Sequence, residues 1–181
     1  ARLAVDDSVV SHSNSGMLGG MFNAMLVSLS FVEKSMKSVL QKTVDMIPHE
    51  SEYYTVVKYA FELCKTEKEW EEAWKKVEEK YKEYNWIHAY PNVAAEIIAL
   101  CYENDEFKKP CHIIAMEGQD VDCTAAPVLN ALLCMIGLET VGEHWIKPIG
   151  KNIATLMRRM RNLTIDELCE KTVNAVRKAT A

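Results

Sequence analysis

The feature that most restricts this chain is its helical periodicity. Apolar residues recur at spacings of three and four along nearly its whole length, and no segment alternates apolar and polar as a half-buried strand would. Trp70, Ala73, Trp74, Val77 and Tyr81 make one stripe on a helix predicted over Glu67 to Tyr84. Its other face is almost wholly Glu and Lys, the pattern of a solvated surface. Thr66 and Glu69 have the spacing of a capping box for its start. Phe22, Met25, Leu26 and Leu29 form a second stripe after Gly19-Gly20, and Met36, Val39, Leu40 and Val44 continue it. Ser51 is placed to cap a helix carrying Tyr54, Val57, Phe61 and Cys64. Pro91 suits the first turn of a helix bearing Val93, Ala94, Ile97, Ile98 and Cys101. Phe107, Cys111, Ile114 and Ala115 mark the next helix. Ala125, Val128, Leu129, Leu132 and Ile136 mark another, ended by Gly137. Thr164 and Glu167 form a second capping box ahead of Leu168, Thr172 and Val176. The loops are short, so residues 1–181 read as a single all-α region, a compact multi-helix globule with buried central helices.

Composition narrows the function. The 181 residues are 49% apolar and carry a net charge of −5. That charge speaks against nucleic acid as partner, because a phosphate backbone needs a basic surface. The most apolar stretch, Ala125 to Leu138, is interrupted by Pro127 and Asn130 and is too short for a bilayer. None of the six cysteines forms a C-x-x-C pair, which leaves a structural zinc site without its spacing. Most occupy apolar helical positions as free thiols, and a reducing, cytoplasmic setting is expected. The chain opens on Ala1-Arg2-Leu3-Ala4 with no initiator Met, so a piece of a longer protein is expected.

Asp120 and Asp122 stand between two apolar helices, just after Gly118, which permits a tight turn. Carboxylates separated by one residue can converge on a hard cation such as Mg²⁺ or Ca²⁺ when the backbone turns. They can equally cap the following helix, whose N-terminus favours acidic side chains. Spacing alone leaves both readings open.

The segment Gly118-Gln119-Asp120-Val121-Asp122-Cys123-Thr124-Ala125-Ala126 resembles the G-x-D-T-D-x-x-A signature of the ADP-ribosylglycohydrolase family. The resemblance implies that Asp120 and Asp122 help bind a pair of Mg²⁺ ions. Cys123 stands where relatives often have a hydroxyl ligand, and a soft thiol suits Mg²⁺ poorly. Val121 replaces the usual Thr. Ser11-His12-Ser13-Asn14-Ser15-Gly16, leading to Gly19-Gly20-Met21-Phe22, is similar to the family's S/T-H-x-x-x-G segment. That similarity makes His12, Gly19 and Gly20 candidate substrate contacts, with a loop His bonded to backbone as the alternative for His12. His88-Ala89-Tyr90-Pro91-Asn92-Val93-Ala94 looks like the stretch before the helix that precedes the signature. Asn92 and His88 then face the cleft, unless Asn92 caps its helix and His88 is a partly buried loop residue. Gly118 joins the candidate substrate-binding set. Gly142 to Pro148, with Trp145 as a packing residue, and Thr164 to Leu168 are similar to the family's closing segments.

The family domain is about twice this length, and its Thr-Asp-Asp run and early G-D-x-x-G segment have no counterpart here. Val5-Asp6-Asp7 precedes the His12 segment and is not assigned to metal. The resemblance therefore implies the C-terminal half of an ADP-ribosylglycohydrolase domain, inactive without the N-terminal half. The implied activity is Mg²⁺-dependent hydrolysis of a glycosidic bond of ADP-ribose attached to protein or a small acceptor. A non-catalytic binding or structural member of the same fold is the alternative.

Overall fold

A computed structural model describes residues 1–180. Ten α-helices and one two-stranded sheet account for most of the described chain, which is the all-α class expected from the periodicity. The residues divide into two compact units, Ala1–Thr140 and Val141–Ala181.

The first unit contains α1 (Arg2–Ser8), α2 (Ser15–Ser30), α3 (Met36–Asp45), α4 (Glu52–Thr66), α5 (Trp70–Tyr81), α6 (Ala89–Cys101), α7 (Lys108–Glu117) and α8 (Val121–Ile136). The centre is α6, which touches α2, α3, α4, α5, α7 and α8. Every residue from Tyr90 to Leu100 is buried on it. A helix apolar all round needs neighbours all round, and six helices supply them. Phe22 and Leu26 of α2, Val57 of α4, Ile97 and Ile98 of α6, and Ile113 of α7 are wholly closed to solvent. Each such side chain contributes roughly 1.5–3 kcal/mol of burial energy.

Local signals set most helix ends. Ser51 Oγ accepts the Tyr54 N–H at 3.0 Å, as its position predicts. Ser35 does the same for α3, which is a separate helix and not a continuation of α2. The Thr66–Glu69 capping box does not form. Thr66 is the last residue of α4, its hydroxyl donates to the Leu63 carbonyl, and α5 begins only at Trp70. The first helix competes for that Thr and wins it. No helix among the described residues is long and apolar enough to cross a membrane.

The second unit holds α9 (Glu143–Ile146), β1 (Asn152–Ala154), β2 (Asn162–Thr164) and α10 (Ile165–Thr180). The strands are antiparallel, with Ile153 opposite Leu163. Three residues per strand are too few for an alternation to stand out in sequence. The capping box at the start of α10 forms as predicted: Glu167 Oε2 accepts the Thr164 N–H at 2.7 Å, and Thr164 Oγ1 accepts the Glu167 N–H at 3.2 Å. Trp145 rests beside the His144 ring and is 39% exposed.

Candidate active site

The first unit carries a cleft of about 660 Å³ between the α1–α2 connection, α2, the segment entering α6, and the start of α8. Its construction begins with Asn92. This side chain, 9% exposed, is not a helix cap. Its Nδ2 donates to the carbonyls of Trp86 (2.7 Å) and His88 (2.8 Å), and its Oδ1 accepts the Asp120 N–H at 3.1 Å. One amide thereby ties the loop before α6 to the turn before α8. The capping role falls to His88, whose Nδ1 accepts the Tyr90 N–H at 3.2 Å. The His88 ring lies 4.4 Å from that of Tyr84 and 4.6 Å from that of Tyr90.

The turn at Asp120 follows from Gly118. That residue ends α7 at φ +69°, a left-handed conformation that glycine adopts without strain. Asp120 then occupies the N-cap position of α8, yet its side chain makes no capping bond. Its carbonyl accepts the Thr124 N–H at 2.9 Å and the Thr124 hydroxyl at 3.1 Å. The backbone is held and the carboxylate is not spent on the helix. Asp122, in the first turn of α8, is exposed. Ligand atoms of Asp120, Asp122 and Cys123 lie within 4.8 Å of one another, the one such group of three among the described residues. Pro127, inside α8, has no N–H to give the Cys123 carbonyl four residues back.

Two carboxylates at this separation fit a hard divalent cation. Cys123 fits less well. Its thiol donates to the Asp120 carboxylate, which together with partial burial and the charges of Asp120, Asp122 and Glu96 pushes it above the usual thiol range. A protonated thiol is a poor ligand for Mg²⁺.

The opposite side of the cleft comes from the His12 segment and α2. Asn14 enters α2 at φ +46°, and Ser11 Oγ lies 2.8 Å from His12 Nδ1. The imidazole lies close over Gly16, where a Cβ would come within 2.8 Å of His12 Cδ2. Any side chain there would push the ring away. Gly19 and Gly20 follow along the same wall.

Of the residues singled out in the sequence, His12, Gly19, Gly20, His88, Asn92, Asp120 and Cys123 line the cleft together. Asp122 joins through the ligand cluster, not the lining, and Gly118 shapes the turn from outside it. Sequence reading passed over Asn23, Tyr53 and Glu96, all of which line the cleft. Glu96 is 5% exposed, and burial pushes its carboxyl up to about 8 despite the bond from Asn23. Tyr53 is 2% exposed, and burial with the nearby Glu96 charge pushes its phenol well above the ordinary range. A signal for Glu96 was present: it is the one charged residue between Val93 and Cys101.

No match was found among curated proteins or solved structures. The family model for ADP-ribosylglycohydrolase matches residues 1–179, so the match takes in essentially the whole chain and does not single out one half of the family's domain. With the all-helical fold and the Asp120 turn beside it, this match settles the membership: the chain belongs to the ADP-ribosylglycohydrolase family.

Proposed function

We propose that this protein takes part in Mg²⁺-dependent hydrolysis of a glycosidic bond of ADP-ribose carried by a protein or a small acceptor. The observation that carries this reading is the Asp120 turn. A residue at an N-cap normally spends its side chain on the helix. Asp120 does not, and Asn92 fixes its backbone from another element. Its carboxylate is thereby kept off the helix, with the Cys123 thiol and the Asp122 carboxylate alongside.

Asp120 and Asp122 would hold the cation, and Asn92 and Gly118 would set their geometry. Cys123 would remain a neutral donor to Asp120. Mg²⁺ held there would orient the ribose through its hydroxyls and lower the pKa of a bound water. His12 on the facing wall would donate to a phosphate oxygen, or donate to or accept from a ribosyl hydroxyl, of the same ligand. Gly19 and Gly20 would let the ligand approach the α2 backbone. Mg²⁺ requires about six oxygen ligands, of which this turn offers two carboxylates. Water and ligand oxygens would complete the shell. The free cysteines accord with a reducing, cytoplasmic setting.

The test is Asp122→Asn in the full-length protein. Loss of Mg²⁺-dependent release of ADP-ribose with unchanged helical circular dichroism is expected. Full activity of the variant would sink the metal assignment. The Cys123 thiol on Asp120 favours one second reading, a member that binds without turnover. Saturable Mg²⁺-dependent binding of ADP-ribose with no product over hours would select it.

A further inference from the structure

A second cavity, of about 360 Å³, opens where α4 and α6 end, and residues of α3 complete its lining. Cys64 is in the last turn of α4, and Cys101 is the last residue of α6. The two helix ends are pinned side by side. Tyr102, directly after Cys101, donates its hydroxyl to the carbonyl of Glu67, directly after α4, at 2.9 Å. The thiols meet across this seam: Cys101 donates to Cys64, and that bond, with burial, pushes the Cys101 thiol well above the usual range.

Both cysteines are half-buried and both line the cavity, so a small molecule can reach them. Lys37 and Lys65 line it too, beside a single acidic residue, Glu103. Thiols react in partly open, electropositive surroundings of this kind. A cysteine packed alone in a core is only a small hydrophobe. Two thiols in contact at the wall of a cavity can do more, because one can attack what the other has become. The bond between them sets the order. Cys101 holds its proton against Cys64, so Cys64 attacks first and Cys101 second.

We propose that Cys64 and Cys101 form a dithiol modification site that a hydroperoxide oxidises to a disulfide. The Cys64 sulfur attacks one peroxide oxygen. The O–O bond breaks, and the leaving oxygen departs with the thiol proton as water or an alcohol. The Cys101 sulfur then attacks the Cys64 sulfenic acid. The S–S bond forms, the S–O bond breaks, and hydroxide leaves with the Cys101 proton as water. The two sulfurs lose two electrons in all, and the peroxide gains them. The sulfurs close from hydrogen-bonding range to ~2 Å in the process. Two molecules of a small thiol reverse the step by exchange and leave as their own disulfide. The site uses no metal and no residue of the cleft, so it stands or falls separately from the function proposed above.

The experiment treats the reduced full-length protein, at dilution, with hydrogen peroxide. The remaining thiols are alkylated under denaturing conditions, and the cysteines are mapped by mass spectrometry. A Cys64–Cys101 linked peptide is expected, at least tenfold more abundant than any other cysteine pair and abolished by dithiothreitol. In Cys101→Ser the sulfenic acid has no second thiol to meet, and dimedone is expected to label Cys64 at least tenfold more than in the unaltered protein. If that variant does not fold, the linkage map of the unaltered protein decides alone. Absence of the Cys64–Cys101 linkage, a yield no higher than that of another pair, or unaltered dimedone labelling of Cys64 in folded Cys101→Ser would overturn the site.

Discussion

Helices α5 and α6 pack against each other, yet their polar residues mean different things. On α5 the buried set is Ala73, Trp74 and Val77, and the Glu and Lys residues face water. Lys76 there pairs with Glu67 at 2.6 Å, an exposed bridge of the kind that adds little. On α6 nothing from Tyr90 to Leu100 faces water, and two of those residues, Asn92 and Glu96, are polar. A polar residue on a half-exposed helix needs no reason beyond solvation. On a helix buried all round it must have a partner or a task. Asn92 has its partners and builds the Asp120 turn. Glu96 has one long bond, from Asn23 to Oε1, leaves Oε2 without a partner and lines the cleft.

That contrast can be broken in graded ways. Ile97→Ala, at the wholly buried centre of α6, is expected to destabilise by ~2–5 kcal/mol, read by urea denaturation. A loss below that of an exposed site would deny α6 its central place. Asn92→Ala removes three hydrogen bonds and is expected to cost ~1–3 kcal/mol. It should also lower the affinity for Mg²⁺ by ~10–100-fold, because the support of a ligand is lost. Calorimetry showing unaltered Mg²⁺ affinity would reduce Asn92 to a packing residue.

Acidity gives the third test. Burial raises the Glu96 carboxyl to about 8 and Glu117 well above the usual carboxylate range. The folded state then keeps protons that the unfolded chain releases above its ordinary carboxylate pKa. The stability these groups contribute is fully present below that pKa and is lost as pH rises through the folded value. Between about pH 4.5 and 8, stability should fall, and Glu96→Gln should flatten the fall. Denaturation curves at pH 5 and pH 8 with the same slope in both proteins would contradict it. The smallest effect is expected on α5: Glu72→Ala should shift stability by less than ~0.5 kcal/mol in a thermal melt.

The same contrast explains what could be read from the sequence. The stripe Trp70, Ala73, Trp74, Val77 and Tyr81 shows α5 directly, because a helix with one wet face writes its period into the chain. The caps at Ser51 and Thr164 were legible for a similar reason, since the donor and acceptor lie within three residues. Thr66 was misread because two helix ends competed for it, which only the packing decides. Asp120 and Asp122 were legible as a pair, but their freedom from capping was not, since it depends on Asn92 across 28 residues. Cys123 was legible as a candidate ligand, while its bond to Asp120 required coordinates. Asn23 and Glu96 meet across 73 residues, and no local pattern connects them.

The Asp120 turn as a cation-holding wall is the centre of this account. The most direct measurement is the Mg²⁺ dependence of ADP-ribose release by the full-length protein, compared with Asp120→Asn and Asp122→Asn. Each variant is expected to lose ~100-fold or more of its rate at saturating substrate, with circular dichroism and melting midpoint retained. Variants that release ADP-ribose at the unaltered rate and with the same Mg²⁺ dependence would contradict it.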